Sequence, residues 1–332
     1  MSQRLNCLIE KMQNKKIMVI GDMVADVYLE GKISRISREA PVLILEHAGE
    51  RVVPGGAANV VYNAAALGGQ VYAVGIVGTD NAGQELTKVL KGKNVNTTGL
   101  IADSSRPTIT KTRIMAGGQA TVRQQVVRID RESKSLLNAE SEQKLIVYIK
   151  ENIPLMDAVV ISDYGSMTVS PAIRELAITL CNQAGVVSMV DSRYNVMAYT
   201  GIKLVKQNES EAAAAIGLDT LDNDQLQQAA KTILTHLQAD GVLITQGPEG
   251  MTFFAADGTS THIPVTNVSE VYDVTGAGDT VVVTMMLALA AGTDYVSAAR
   301  LANYAAGVVV RKPGTATTSP EELKAAIGEH VQ

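Results

Sequence analysis

The sequence predicts an α/β fold in which helices cover both faces of a mostly parallel central sheet and a small β-layer lies outside it. Short apolar runs such as residues 16–20 and 158–161 alternate along the chain with Ala-rich or amphipathic segments such as residues 57–67. This alternation is typical of parallel strands joined by crossover helices. Two other stretches, residues 26–46 and 98–128, place charged residues at every second position, which is typical of partly exposed strands.

Apolar periodicity predicts the individual elements, and turn residues such as Gly21-Asp22 and Pro54-Gly55-Gly56 mark some of their ends. The predicted strands span residues 16–20, 71–77, 158–161, 186–190, 203–206, 241–245 and 251–255. The predicted helices span residues 57–67, 82–90, 139–151, 171–182, 209–216, 223–237, 277–291, 296–310 and 321–327. Because no repeat, low-complexity tract or linker interrupts them, we predict a single domain over residues 1–332 with lid segments at about 26–46 and 98–128.

Composition indicates a large aliphatic core and no polyanionic partner. Hydrophobic residues make up 46% of the 332 residues, with no Trp and two Phe, so Val, Ile, Leu, Ala and Met fill the core. The net charge is −5 and no basic tract occurs, which argues against nucleic acid as a partner. Cys7 and Cys181 are far apart in the sequence, which suits a reducing compartment.

The sequence shows no targeting or membrane segment. Residues 1–16 are polar and lack the apolar core of a signal peptide. The longest apolar run, residues 281–291, is too short to span a membrane. Four dispersed histidines have neither metal-ligand spacing nor an evident triad. We therefore predict a cytoplasmic enzyme without a membrane partner.

The most informative stretch is the run DVTGAGDT, which begins at Asp273 and leads directly into apolar residues 281–291. Gly276 and Gly278 suit a tight turn that opens a buried helix with free N–H groups in its first turn. Such groups favour a phosphate, and Asp279 beside them is placed to take a proton from an attacking hydroxyl. The alternative is a structural turn, in which the glycines only permit the bend and the aspartate caps the helix.

Two common nucleotide-binding motifs are missing. The sequence has no GxxxxGK[ST] P-loop, and Val281 stands where the third glycine of a GxGxxG motif would follow Gly278. A nicotinamide-dependent oxidoreductase is therefore disfavoured.

Polar residues follow the first strand, at the sheet edge where ligands of α/β proteins collect. Asp22 and Asp26 offer carboxylates to sugar hydroxyls, and the alternative is a turn Asp and a surface Asp. Asn59 and Asn63 lie one helical turn apart, and their amides suit sugar hydroxyls as well. The alternative for this pair is close packing of small residues with a capping Asn.

Two later strand ends are candidates for the nucleotide side. Asn208 and Glu211 begin a helix, where they either form a capping box or allow Glu211 to hold Mg²⁺ through water. Thr245, Gly247 and Gly250 follow another strand and permit close approach of a nucleotide to the backbone. A plain turn explains these three residues almost as well.

The order of these motifs resembles the ribokinase-like (PfkB) family of sugar kinases over nearly the whole chain. The matching motifs are GD…D at 21–26, GGAAN at 55–59, NxxE at 208–211, TxGxxG at 245–250 and DVTGAGDT at 273–280. Within the family the chain most resembles the D-glycero-β-D-manno-heptose 7-phosphate kinases, including stretches at 34–41, 127–132, 162–165, 299–303 and 314–317. The resemblance implies a ribokinase-like three-layer α/β sandwich with a small β lid.

The resemblance also implies roles for individual residues. The general base is Asp279, and the N–H groups that hold the transferred phosphoryl group belong to Gly276, Ala277 and Gly278. The residues that hold the sugar are Asp26, Gly56 and Asn59, to which we add Asp22 and Gly55. The residues on the phosphate, Mg²⁺ and nucleotide side are Asn208, Glu211, Thr245, Gly247 and Asn303, to which we add Gly250 and Thr275. Asp273 resembles a position associated with a monovalent cation, such as K⁺, that orders the turn.

Charge and spacing add two residues that the resemblance does not supply. Lys111 and Arg113 alternate with Thr on a predicted lid strand, so both are placed to face the phosphate of a sugar phosphate. The alternative is a solvated strand face. Because an exposed β-layer is able to pair with a copy of itself, we also predict a homodimer.

Two departures from the heptose 7-phosphate kinases affect the predicted substrate. Ser166 and Met167 stand where those kinases usually carry Lys-Gly, and Ser192 and Arg193 stand where they usually carry Pro-Lys. The predicted reaction is ATP- and Mg²⁺-dependent phosphorylation of heptose 7-phosphate at its anomeric hydroxyl to the 1,7-bisphosphate, a step of ADP-heptose biosynthesis. The alternatives are a family kinase for fructose, fructose phosphate, ribose or a nucleoside, and a non-catalytic sugar- or nucleotide-binding relative.

Overall fold

The computed structural model describes residues 2–117, 124–266 and 271–329. Its strands are β1 (Lys16–Gly21), β2 (Met23–Ile36), β3 (Leu43–Gly56), β4 (Gln70–Gly78), β5 (Asn96–Asp103), β6 (Ile109–Gly117), β7 (Gln124–Arg131), β8 (Ala158–Asp163), β9 (Val187–Ser192), β10 (Leu204–Asn208), β11 (Gly241–Thr245), β12 (Met251–Ala255) and β13 (Ser260–Ile263). Its α-helices are α1 (Ser2–Met12), α2 (Ala57–Ala66), α3 (Asn81–Lys91), α4 (Ala139–Asn152), α5 (Pro171–Ala184), α6 (Glu209–Ala215), α7 (Asn223–Leu237), α8 (Ala277–Ala290), α9 (Tyr295–Val309) and α10 (Pro320–Glu329).

The central sheet has the strand order β13-β12-β11-β10-β9-β8-β1-β4-β5. The seven strands from β11 to β5 run parallel, and β12 and β13 continue the sheet as an antiparallel edge. The predicted mostly parallel α/β sheet is therefore confirmed. Its parallel strands end at one edge, so residues that follow β1, β8, β9 and β10 meet there although they are far apart in the sequence.

Helices cover both faces of this sheet and form two apolar cores. One core is built with α1, α2, α3, α8, α9 and α10, and the other with α4, α5, α6 and α7. Alternate residues of β1 enter different cores, Ile17 and Val19 on one side and Met18 and Ile20 on the other. The core is aliphatic, as its composition predicts. In the described part of the chain, no helix combines the length and the apolar character needed to cross a membrane.

A second sheet of four strands, with the order β3-β2-β6-β7, forms the predicted small β-layer. Its segments differ from the predicted bounds of 26–46 and 98–128. Residues 98–103 lie in β5 and pair with β4, so they belong to the central sheet, whereas β3 continues to Gly56. Residues 118–123 of the predicted lid lie outside the described residues.

Periodicity located most elements to within two residues but missed α1 and β13. Helix α1 has a polar composition, yet Leu5, Leu8, Ile9 and Met12 form one buried face. Its i, i+3, i+4, i+7 spacing was the available signal. Strand β13 has four residues, too few for a reliable alternation pattern.

Candidate active site

The candidate site is a cleft of about 540 Å³ at the carboxyl ends of the parallel strands. The first turn of α8 lines this cleft, and residues at the ends of β8, β9 and β10 line it beside that turn. The lining residues are Asp163, Tyr164, Asp191, Arg193, Tyr194, Lys206, Asn208, Ser210, Glu211, Ala214, Gly276, Gly278 and Asp279. Acidic and basic groups thus face one another around a space large enough for a small-molecule ligand.

The turn before α8 adopts the form that its glycines predict. Gly276 has φ = 78°, a left-handed conformation that favours glycine, and a Cβ there would lie 2.6 Å from Nδ2 of Asn59. In the described part of the chain, the N–H groups of Gly276 and Gly278 have no backbone partner. The N–H group of Ala277 differs from the prediction, because it donates to the carbonyl of Val274 at 3.2 Å. Of the three predicted amides, those of Gly276 and Gly278 are therefore left for an anion.

Asp279 lies in the first turn of α8, and two side chains hold its carboxylate. Asn59 donates from Nδ2 to Oδ2 at 2.7 Å, and the Tyr164 hydroxyl donates to Oδ1 at 2.9 Å. Asn59 is fully buried, so in this structure it supports the carboxylate rather than presenting its amide to a sugar. Each carboxylate oxygen keeps a lone pair for a further donor.

The environment of Asp279 makes it a stronger base than an exposed aspartate. Burial raises its pKa to about 6, and the nearby carboxylate of Asp191 acts in the same direction. The hydrogen bonds from Asn59 and Tyr164 and the charge of Lys206 act in the opposite direction. A carboxylate with this pKa is ionised at neutral pH and accepts a proton more readily than an ordinary aspartate.

A second layer of buried polar groups fixes Asn59. Asn63 donates from Nδ2 to the backbone carbonyl and to Oδ1 of Asn59, at 3.0 and 3.1 Å. Thr280, the residue after the carboxylate, donates from its hydroxyl to Oδ1 of Asn63 at 2.9 Å. Helices α2 and α8 are thereby joined through side chains, and the orientation of each amide is determined by its neighbours.

A buried ion pair lies beside the first turn of α8. Lys206 on β10 lies 3.1 Å from Oδ2 of Asp191 on β9, and both side chains are largely buried. Burial lowers the pKa of Lys206, but the charges of Asp191 and Glu211 outweigh this effect and raise the pKa, so the side chain is an ammonium ion. A Cβ at Gly278 would lie only 2.9 Å from its Nζ atom. The ammonium ion therefore lies against the turn that offers free amides.

Asn208 and Glu211 form the capping box at the start of α6. The Asn208 side chain accepts from the N–H of Glu211, and the Glu211 carboxylate accepts from the N–H of Asn208, each at 2.9 Å. Both residues also line the cleft. Burial raises the pKa of Glu211, against the opposing charge of Lys206. The capping box and the predicted Mg²⁺ contact are compatible interpretations of this motif, because capping uses one oxygen of the Glu211 carboxylate.

The donor set of the cleft suits Mg²⁺ bound together with a phosphorylated ligand. Among the described residues, no three His, Cys, Asp or Glu side chains are grouped so as to hold a metal ion by themselves. Mg²⁺ in phosphoryl-transfer sites needs only one or two carboxylates, because phosphate oxygens and water complete its shell. Glu211 at the cleft wall supplies one such carboxylate, which is what the predicted water-mediated contact with Mg²⁺ requires.

The small sheet brings Asp26, Lys111 and Arg113 to one face. Asp26 pairs in register with Lys111, and its Oδ1 lies 2.9 Å from Nη1 of Arg113 in a largely buried ion pair. Gly55 allows this arrangement, because a Cβ there would lie 2.9 Å from Cγ of Asp26. The Lys111 ammonium lies 5.8 Å from the centre of the Tyr164 ring. It has no carboxylate partner among the residues that the structure describes.

Asp273 joins the turn before α8 to the segment after α9. Its Oδ1 accepts from the N–H of Thr275 and its Oδ2 from the N–H of Gly314, each at 2.9 Å. Burial raises the pKa of Asp273, but these hydrogen bonds outweigh it and the pKa lies below the usual value. The residue is therefore an anion that orders the turn. Thr275 is exposed at the mouth of the turn.

Asp22 lies away from the cleft, which corrects its predicted contact with a sugar. Its side chain is fully buried and accepts from the N–H groups of Tyr164, Ser166 and Thr168 at 2.9, 3.0 and 3.2 Å. Burial raises its pKa. The physical reason is that the turn after β8 folds over the end of β1, so Asp22 supports that turn. Gly56 packs beside it, and a Cβ there would lie 2.9 Å from the Asp22 carbonyl oxygen.

The predicted nucleotide-side residues separate into two groups. Thr245 ends β11 in register with Asn208, and Gly247 follows with φ = 55° in open space; both lie at the ligand edge of the sheet. Asn303 is buried and donates to the carbonyl of Pro264 at 2.7 Å. Gly250 is needed for packing, because a Cβ there would lie 2.2 Å from the carbonyl oxygen of Ile263. Asn303 and Gly250 therefore shape the backbone rather than offer groups to a ligand.

The two departures from the heptose 7-phosphate kinases lie in the cleft wall or next to it. Met167 has φ = 66°, a conformation that favours the glycine usually found there. Ser166 is buried, and its carbonyl accepts from Arg106 at 3.1 Å. Arg193 lines the cleft, and its charge lowers the pKa of Glu211. Arg193 therefore supplies a cation at the Ser192-Arg193 departure, whereas Ser166 and Met167 supply none at the other.

Several lining residues are not among the predicted site residues, and three of them carry the polar contacts described above. Tyr164, Asp191 and Lys206 stand at the ends of β8, β9 and β10. Ligands of α/β proteins collect at strand ends, which predicts sites after β1, β10 and β11 and equally applies to β8 and β9. That rule was the available signal, although it does not say which side chains turn inward.

Comparison with known proteins identifies the family. A family model described as the pfkB family of carbohydrate kinases matches residues 14–322. This chain belongs to the pfkB family of carbohydrate kinases. As a family member it is a kinase that transfers phosphate to a sugar hydroxyl, and the arrangement of Asp279 beside free amides is consistent with that activity.

Curated proteins of several bacteria resemble the chain in sequence. The "Bifunctional protein HldE" of Citrifermentans bemidjiense is 40% identical over 327 residues, which cover 98% of this chain and 66% of the relative. The protein of the same name from Azorhizobium caulinodans is 40% identical over 322 residues, which cover 96% of this chain and 66% of the relative. The chain thus spans about two thirds of the length of these curated relatives.

Solved structures of kinases share the fold. Phosphofructokinase-2 from Escherichia coli in complex with potassium superposes with a TM-score of 0.77 at 20% identity, covering 96% of this chain and 100% of that chain. Ribokinase from Arabidopsis thaliana complexed with ribose and ATP gives a TM-score of 0.72 at 18% identity, covering 95% and 99%. These likenesses confirm the predicted ribokinase-like architecture.

Proposed function

We propose that this pfkB-family kinase uses ATP to phosphorylate the anomeric hydroxyl of D-glycero-β-D-manno-heptose 7-phosphate, yielding the 1,7-bisphosphate. The observation that carries the proposal is the Lys111 ammonium beside Tyr164, whose hydroxyl binds Asp279. It places an uncompensated positive charge on the sugar side of the base, where a substrate that already bears a phosphate needs one. The motif resemblance to heptose 7-phosphate kinases supports the same substrate.

In this proposal Asp279 is the general base. The sugar hydroxyl donates to the free lone pair of its carboxylate, and the proton passes to Asp279 as the oxygen attacks the γ-phosphorus of ATP. The bond from that phosphorus to the β,γ-bridging oxygen breaks, and ADP leaves with its electron pair. The N–H groups of Gly276 and Gly278 and the Lys206 ammonium stabilise the charge on the transferred group. Alignment and charge neutralisation supply most of the acceleration, because phosphoryl transfer needs little covalent help from the protein.

The proposed Mg²⁺ role rests on the donor set around Glu211, and the proposed cation role of Asp273 rests on the family resemblance. Glu211 would hold Mg²⁺ through water, and this ion would neutralise the phosphate oxygens of ATP. Asp273 would bind a monovalent cation next to the turn that it orders. Thr245 and Gly247, at the adjoining strand end, would contact the nucleotide.

The test is a panel of sugars and sugar phosphates assayed with ATP and Mg²⁺ for ADP release. Heptose 7-phosphate is expected to give the highest kcat/KM, above fructose 6-phosphate, fructose and ribose. Faster turnover of an unphosphorylated sugar would overturn the substrate assignment and leave the kinase class intact. Ligand-induced stabilisation without ADP release for any sugar would instead favour a non-catalytic relative.

We also propose that the small sheet mediates a homodimer. Its strands expose large aliphatic side chains, including Ile33, Ile36, Val127 and Ile129 at 42%, 66%, 48% and 56% exposure. Such an apolar surface is costly to leave in water. Sedimentation of the native chain is expected to show a dimer, and a double Val127→Lys, Ile129→Lys variant a monomer. A native chain that sediments as a monomer at micromolar concentration would refute this proposal.

A further inference from the structure

We infer that Tyr164 is a positioning residue that holds the Asp279 carboxylate in its reactive orientation through a hydrogen bond from its hydroxyl. The inference rests on the proposed role of Asp279 as base. It assigns a function to a residue of the 163–168 turn, which is otherwise only part of the cleft wall. The hydroxyl remains protonated throughout, so it orients the base without exchanging a proton with the substrate.

The first support is the geometry of the carboxylate. Asn59 occupies Oδ2 and Tyr164 occupies Oδ1, at 2.7 and 2.9 Å. The two donors come from different elements, α2 and the turn after β8, and so fix the plane of the carboxylate from two sides. With one donor alone, the group would rotate about the bond between Cβ and Cγ.

The second support is that the turn holding Tyr164 is itself built on a buried charge. Asp22 accepts from the backbone N–H groups of Tyr164, Ser166 and Thr168. Asp163 accepts from the N–H of Gly165 at 2.9 Å. Burying a carboxylate costs desolvation free energy, which an ordinary surface turn does not require. Here the three hydrogen bonds to the buried carboxylate hold the backbone of Tyr164 in one position.

The third support is the protonation state and contacts of the phenol. Burial raises the pKa of Tyr164 well above its usual value, and the charge of Asp279 adds to this effect. The hydroxyl is therefore a donor at every working pH. The Lys111 ammonium lies over the ring at 5.8 Å, so the small sheet contacts the same side chain that orients the base.

Other charged groups surround Asp279 and are unchanged when the hydroxyl is removed. Asp191 on β9 raises its pKa, Lys206 on β10 lowers it, and Glu211 on α6 interacts with both of these residues. Lys111 approaches from the small sheet. A Tyr164→Phe substitution removes one hydrogen bond and leaves these charges in place.

The experiment measures the Asp279 pKa by carboxyl-carbon NMR in the ligand-free enzyme, with Asp279→Asn used to assign the signal. Tyr164→Phe is expected to move the pKa upward by about 0.5 to 1 unit. Tyr148→Phe is the matched control, because that hydroxyl bonds Thr98 far from the cleft, and it is expected to leave the pKa unchanged. An unshifted pKa in Tyr164→Phe would overturn the inference.

A second substitution keeps the shape of the side chain, so folding is not in question. Replacing Tyr164 by 3-fluorotyrosine gives a stronger donor and is expected to move the Asp279 pKa downward; no movement would count against the hydrogen bond. In ADP-release assays with heptose 7-phosphate, Tyr164→Phe is expected to lower kcat about tenfold with KM for ATP unchanged. If Asp279→Asn keeps full activity, the proposed base is wrong; if only Tyr164→Phe is silent, the inference alone is wrong.

Discussion

The Nδ2 atom of Asn59 lies 2.7 Å from Oδ2 of Asp279, although 220 residues separate the two in the sequence. The contact joins the first turn of α2 to the first turn of α8. Because Asn63 and Thr280 continue the same network, the two helices present one rigid polar unit to the cleft. This relationship explains why the carboxylate tolerates full burial without losing its orientation.

The first prediction concerns Asp279 as base. Asp279→Asn is expected to lower kcat by at least about a hundredfold, because the proton of the attacking hydroxyl loses its acceptor. ADP release measures the loss, and ATP binding by titration calorimetry should be nearly unchanged. Near-normal turnover by the folded variant would remove Asp279 from the mechanism.

The same substitution is expected to stabilise the fold at alkaline pH. The pKa of Asp279 rises from 3.8 to about 6 on folding, so ionisation costs stability as pH increases through this window. The cost is absent below about pH 4 and complete above about pH 6. At pH 8 Asp279→Asn should therefore gain on the order of 2 kcal/mol in urea unfolding. The gain should vanish near pH 4, and an equal gain at both pH values would contradict the burial of a charge at this position.

The pH dependence of catalysis follows from the same pKa. kcat/KM for the sugar is expected to fall about tenfold per pH unit below about pH 6, since the free enzyme must be ionised at Asp279. The phosphate of a sugar phosphate ionises in the same pH range. Calorimetric measurement of sugar phosphate binding over that range separates the ionisation of the substrate from that of Asp279. A profile flat down to pH 5 would show that Asp279 has an ordinary pKa or no catalytic role.

Lys111 is expected to recognise the phosphate of the substrate. Lys111→Met should raise KM for heptose 7-phosphate at least about tenfold and leave KM for ATP unchanged, because one charge-assisted contact is lost. Lys93→Met is a matched control, since Lys93 also lies over a tyrosine ring, that of Tyr62, at 5.4 Å but outside the cleft. Equal effects of the two substitutions would indicate a structural role for the lysine.

Met167 is expected to be a strained position. Its φ of 66° costs about 1 kcal/mol for a residue with a side chain, so Met167→Gly should raise the unfolding free energy by up to about that amount. The greater flexibility of glycine in the unfolded chain offsets part of the gain. Met167→Ala keeps the Cβ atom and should show no gain. Destabilisation by both glycine and alanine would indicate instead that packing of the methionine side chain outweighs the backbone strain.

Much of the fold was predictable from the sequence because apolar periodicity is a local property. The helix at 223–237 and the strand at 241–245 were located to the residue, and the DVTGAGDT run identified the turn that faces the cleft. The polar residues that line the cleft were harder to predict from the sequence. Tyr164, Asp191 and Lys206 become neighbours only through the strand order β8-β9-β10, and no local pattern contains that order.

Asp22 shows a different limit of sequence reasoning. Its position after a strand correctly places it near the ligand edge, but the direction of its side chain depends on the turn at 163–168, 142 residues away at Tyr164. A local motif predicts where in the fold a carboxylate lies. Tertiary structure decides which donors bind it.

The small sheet is connected to the catalytic end of the molecule in two different ways. Strand β2 begins at Met23, directly after the anchor Asp22, and β3 ends at Gly56, the residue that precedes α2. Strands β6 and β7, on the other side of β2 from β3, have no such junction with the catalytic helices among the described residues. Exchange of β6 and β7 between related kinases is therefore expected to change acceptor preference without moving the backbone that carries the base, whereas grafting β2 and β3 would disturb that backbone directly.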